Sequence, residues 1–173
     1  TRDQLLGRIM SGDNYSVELF RGESTKLQGD IGILTTSTGY LTPFTRSQLA
    51  GSIAGRFETM VNIGIAAMPL NEKDLGFDSV DSREIQAARL MTDVCLACSQ
   101  APHGPVASVQ DIAGRVSQKG TLTLQDFSCL QNLSLNLKKA SDLIGRYIKE
   151  TDSSARTVIA EQVAEVCTKL KGQ

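Results

Sequence analysis

Between Thr42 and Ile63 the apolar residues Leu49, Ile53, Phe57, Met60 and Ile63 recur at helical spacing, a stripe that only an α-helix can turn toward one core. Thr42-Pro43-Phe44-Thr45 opens that helix. A proline in the first turn loses an N–H that has no helical acceptor, and a threonine there can cap the turn. Asp81 and Glu84 are spaced as a capping pair, after which Ile85, Ala88, Thr92, Cys95 and Leu96 extend a second helix to about Cys98.

The same period governs the last third of the chain. Val109, Ile112, Ala113 and Val116 mark a helix stopped by Gly120. Thr123-x-x-Asp126 starts the next, with Phe127, Leu130, Leu133, Leu137, Ile144 and Tyr147 inward, and Ala155, Ile159, Val163, Val166 and Leu170 line a third from Ser153 to Leu170. Short connections between long helices predict antiparallel packing.

The first forty residues read less cleanly. Thr1–Met10 is expected as a short helix with Leu5, Leu6, Ile9 and Met10 on one side, ending at Ser11-Gly12-Asp13-Asn14. Tyr15–Phe20 fits a helical turn or a strand, because its apolar residues also alternate. Ser24–Thr38 has Leu27, Ile31 and Leu34 at helical spacing, weakened by Gly29, Gly32 and the Thr35-Thr36-Ser37-Thr38 run, with Gly39 as the stop. The Gly29/Gly32 and Gly51/Gly55 pairs are expected to mark close helix packing.

The expected fold is all-α: an N-terminal helical domain over 1–104 and a C-terminal three-helix bundle over 105–173. The Ala101-Pro102-His103-Gly104-Pro105 break divides them, and a polar, acidic connection over Pro69–Val80 interrupts the first. With 40% hydrophobic and 21% charged residues, the chain can bury a core and is not of disordered composition. No run of about 18 apolar residues occurs, and the first residues do not read as a signal peptide, so any membrane role is expected to be peripheral. Four cysteines, Cys95, Cys98, Cys129 and Cys167, form no dense disulfide framework, which points to a reducing compartment.

Net charge is −1, giving the whole molecule no strong pull toward nucleic acid. Residues 1–104 carry 9 basic and 12 acidic side chains, whereas residues 105–173 carry 9 and 7, so an anionic partner is expected at the C-terminal half or a local patch. Lys138, Lys139, Arg146 and Lys149 make the densest basic stretch, with Asp142 between them. Arg46 and Arg56 lie on the best-marked helix, and Arg83 and Arg89 on the following one. The basic stretch is either a solvated face or a contact for an anionic surface, and each of these arginines is either a solvated side chain or an arginine finger for a GTPase partner.

Cys95-x-x-Cys98 followed by His103 has the spacing of a zinc ligand set but lacks a fourth ligand, so no cofactor is expected and zinc is the one metal alternative. Buried structural cysteines are the competing reading. A Cys/His nucleophile pair has nothing in the sequence to orient it, and neither GxxxxGK[ST] nor GxGxxG occurs. The chain is therefore expected not to be an enzyme.

Three segments carry a family resemblance. Leu19-Phe20-Arg21-Gly22-Glu23-Ser24-Thr25-Lys26-Leu27, Tyr40-Leu41-Thr42-Pro43-Phe44-Thr45-Arg46-Ser47-Gln48-Leu49 and Val94-Cys95-Leu96-Ala97-Cys98-Ser99-Gln100-Ala101-Pro102-His103 follow in the order seen in the matrix proteins of the influenza group. The chain thus resembles a divergent orthomyxovirus matrix protein, with a shorter stretch between Pro43 and Cys95 and without the family's strongly basic cluster. That resemblance implies a self-polymerising shell beneath the virion envelope and at the cytoplasmic face of host membranes, with the nucleus as a further location. It also implies contact with anionic phospholipid on one side and viral ribonucleoprotein on the other, RNA contact being weaker. Arg46, Arg56, Arg83, Arg89, Lys138, Lys139, Arg146 and Lys149 are the expected surface contacts. The alternative is a helical regulatory module, such as a secreted bacterial effector, that docks on a host GTPase.

Overall fold

A computed structural model describes residues 15–66, 82–99 and 104–172, and among them every regular element is helical. The elements are α1 (Tyr15–Thr36), a 3-10 turn (Thr38–Tyr40), α2 (Pro43–Ala66), α3 (Ser82–Cys98), α4 (Pro105–Lys119), α5 (Leu124–Lys149) and α6 (Ser153–Lys171). The all-α class is as expected. The Thr1–Met10 helix, the Pro69–Val80 connection, Asp81 and His103 lie outside the described residues.

Tyr15–Phe20, open to either reading in the sequence, belongs to α1, because Val17 and Phe20 begin a stripe that continues through Ser24, Leu27, Ile31 and Leu34, all buried. Burying a whole stripe, at roughly 1.5–3 kcal/mol for each large apolar side chain, outweighs the cost of about 1 kcal/mol for each interior glycine. Those glycines are not the close-packing positions expected of them. A Cβ at Gly29, Gly32, Gly51 or Gly55 would meet nothing within 4 Å.

The helix ends follow local chemistry. Thr42 Oγ1 accepts from the Thr45 N–H at 3.1 Å beside Pro43. Gly120 ends α4 in the left-handed region at φ 73°, where its N–H reaches Val116 O. At α5 the capping box is complete, with Asp126 N–H donating to Thr123 Oγ1 at 3.1 Å and Thr123 N–H donating to Asp126 Oδ2 at 3.0 Å. Asp152 caps α6 through the Ser154 N–H.

α3 is the axis of the molecule. Beyond its first turn it buries Ile85, Ala87, Ala88, Met91, Thr92, Val94, Cys95, Ala97 and Cys98, so it is covered nearly all round. Its alanines and cysteines let α2, α1, α5 and α6 lie around it in that order, each packed on the next, while α4 lies outside on α2. The division at residue 104 accordingly does not separate two cores. α4 packs chiefly on α2 and barely touches α5, so residues 105–173 do not form a bundle of their own, and one apolar core runs through helices on both sides of the boundary. Periodicity fixes which face of α4 is apolar but not which helix receives it.

Candidate functional site

The eight expected contact residues separate into two groups. Arg46, in the first turn of α2, is half-buried and acts as a clamp. Its Nε donates to Gly120 O at 2.6 Å, and its Nη1 donates to Thr38 O and Leu41 O at 2.8 Å each. Those carbonyls end α4 and form the α1–α2 turn, and a guanidinium fork can bind them together where a lysine could not. Arg46 is therefore an internal fastening and not a surface contact. Arg56, farther along α2, pairs with Asp30 at 3.3 Å and lies 3.9 Å from Glu23, both on α1. Arg83 and Arg89 are half-buried on α3, the central helix.

The other four behave differently. Lys138, Lys139, Arg146 and Lys149 are all exposed along α5, and none has an ion pair or side-chain hydrogen bond among the described residues. At about 100° per residue these positions fall in an arc of roughly 100° that also holds Leu124, Gln131, Leu135 and Asp142. Leu135 is 66% exposed on this face, and Leu124 is 87% exposed at its N-terminal end. The opposite side of α5, with Leu130, Leu133, Leu137, Ala140 and Ile144, is buried against α1, α3 and α6.

A ninth cation borders this strip. The Arg21 side chain of α1 lies across Gly145 of α5, where an added Cβ would be 2.5–2.8 Å from the guanidinium atoms. Its Nε is buried without a hydrogen-bond partner among the described residues. Gly145 stands one turn from both Asp142 and Lys149, so Arg21 adds a charge to the edge of the α5 face. In the sequence Arg21 shows no such role, because its setting depends on a glycine far along the chain.

The cysteine motif is core. Cys95 and Cys98 are buried on α3, and Cys167 of α6 lies close enough to influence both. Burial, with Cys167 adding to it, pushes the Cys95 thiol up to about 12, and burial raises Cys98 well above its ordinary value. Burial also lifts Cys167 to about 11, with Asp93 adding to the rise and Lys171 opposing it. Thiolate is the form that ligates metal or attacks a substrate, and these surroundings disfavour it. Among the described residues no group of three or more His, Cys, Asp or Glu side chains is placed to hold a metal.

Two clefts remain. One of about 560 Å³ separates α4 from α5 and is lined by Asp111, Arg115, Asp126, Cys129 and Asn132, with Arg115 paired to the buried Asp126 carboxylate. The other, of about 650 Å³ between α3 and α6, holds Asp93, Leu96, Cys167 and Lys171. Burial raises the Asp93 pKa, and Lys171 partly offsets it. The best-defined surface feature is thus the outward face of α5. Comparison of the chain with protein-family models, curated proteins and solved structures gives no match.

Proposed function

We propose that this chain is a matrix-type shell protein that assembles with copies of itself, binds anionic membrane peripherally through the outward face of α5 and links that membrane to a ribonucleoprotein. The observation that carries the reading is the set of four cations on one helix face, exposed and unpaired among the described residues, interleaved with the exposed Leu135. The order of the three matrix-like segments supports it from the sequence. None of the described helices is long and apolar enough to cross a membrane, in keeping with a contact made from one side.

The magnitudes favour assembly as part of the function. Each lysine or arginine near an anionic leaflet contributes about 1 kcal/mol, so four give roughly 4 kcal/mol. That corresponds to a dissociation constant of about 1 mM for a single copy. Copies held side by side convert such weak contacts into firm attachment. With a net charge of −1, the link to ribonucleoprotein is expected to run through protein contacts rather than through RNA phosphates.

The test is sedimentation with phosphatidylserine-containing and phosphatidylcholine vesicles at low and high salt. Wild-type protein pelleting with the anionic vesicles alone, weakened by salt and lost in the variant carrying Lys138→Glu, Lys139→Glu, Arg146→Glu and Lys149→Glu, is the expected result. Pelleting of that variant as wild type would sink the reading. A stable monomer that ignores vesicles and accelerates GTP hydrolysis by a host GTPase would replace it with the docking module.

A further inference from the structure

At the N-terminal end of α5 lie the most exposed large apolar side chains among the described residues: Tyr40 at 92%, Leu124 at 87% and Phe44 at 70%. Tyr40 closes the 3-10 turn, Phe44 is the second residue of α2 and Leu124 is the first of α5, so three connections converge here. They are fastened to one another. Arg46 ties the Thr38 and Leu41 carbonyls to that of Gly120, and the Pro43 ring packs where a Cβ on Gly120 would come within 2.9 Å of it. The backbone under these side chains is thus held before any partner arrives, which lowers the ordering cost of binding.

The surrounding charge narrows the partner. No acidic residue occurs from Ile31 to Phe57 or from Ile112 to Gln125, while Lys119 is exposed nearby and the remaining neighbours include the exposed Thr42, Thr45 and Thr121. Two protruding aromatic rings and a leucine, with exposed threonines and Lys119 nearby, match the boundary between headgroups and acyl chains of a phospholipid leaflet. A second copy of the chain is a poorer match. Tyrosine and phenylalanine need an apolar socket; the cleft between α4 and α5 presents Asp111, Arg115 and Asp126, and that between α3 and α6 sets Asp93 and Lys171 beside its apolar Leu96, Ala97 and Ala164.

We infer that Tyr40, Phe44 and Leu124 form a rigid hydrophobic anchor that inserts into the phospholipid interface beside the cationic face of α5. This rests on the membrane reading above and gives it a second, salt-insensitive component. Leu124 belongs to both surfaces, and the anchor is proposed to meet the same leaflet as the cations. The α5 cations attract the protein, and the anchor holds it once charge is screened.

The chain has no tryptophan, so Phe44→Trp makes a single fluorescent reporter at the tip. With phosphatidylserine-containing vesicles its emission should shift to the blue and be quenched by lipids brominated on the acyl chain. The Tyr40→Ser/Phe44→Ser variant should keep its thermal stability and salt-sensitive pelleting, yet partition about tenfold more weakly and leave no salt-resistant bound fraction. Pelleting of Phe44→Trp protein with unchanged emission would overturn the anchor and leave the α5 reading standing. Absence of pelleting in wild type would remove both, and a blue shift that grows with protein concentration without vesicles would assign the tip to a second copy.

Discussion

α2 and the outward face of α5 both carry conspicuous cations, yet their side chains meet opposite fates. On α2, Arg46 is taken up by three backbone carbonyls, Arg56 by two acids of α1, and the last turn is locked where Gly64 receives the Cys95 sulfur. On α5, Lys138, Lys139, Arg146 and Lys149 face solvent without a partner among the described residues. A cation's availability therefore depends on which acceptors the fold brings to it. Substitutions of the α2 cations should act on stability, and those of the α5 cations on binding.

The largest expected effect is at Arg46. Arg46→Ala removes three charge-assisted hydrogen bonds and should cost about 3 kcal/mol, lowering the thermal midpoint by roughly 6–12 °C for a chain of this size. Circular dichroism on heating would read it, and an unchanged midpoint would break the contrast at its strongest point. Next comes Gly64→Ala, whose new methyl would collide with the Cys95 sulfur and should cost about 2 kcal/mol. Adding Cys95→Ala should recover a good part of that loss, a coupling measurable in a double-mutant cycle by denaturant unfolding.

The fourfold α5 reversal at positions 138, 139, 146 and 149 should cost only about 1 kcal/mol, mostly because Arg146 and Lys149 stand in the last turn, where the helix dipole favours positive charge. A cost as large as that of Arg46→Ala would mean that these side chains support the fold. Arg56→Ala should be smallest, about 0.5 kcal/mol, because the pair is partly exposed and screened. Raising the salt concentration should shrink its effect further.

Much of this fold is legible in the sequence, since the apolar stripes of α2, α5 and α6 and the caps at Thr123 and Gly120 are local signals that the fold obeys. The seating of α4 on α2 is not legible, because a stripe names a face and not its partner. The α5 cations could be picked out because a 26-residue helix of known register puts them on one arc. Arg46 could not be told from them, since its Gly120 acceptor lies 74 residues away. Arg21 was hidden for the same reason, its setting being made by Gly145. The Cys95-x-x-Cys98 spacing suggested a ligand set, but spacing carries no information on burial, and both thiols face the core.

The most direct measurement of the contrast is the fraction bound to phosphatidylserine-containing vesicles at low salt for two folded variants side by side: Arg56→Ala and the fourfold α5 reversal. Arg56→Ala should bind as wild type while the α5 reversal stays in the supernatant; equal loss in both, or retention by the α5 reversal, would contradict the assignment of that face.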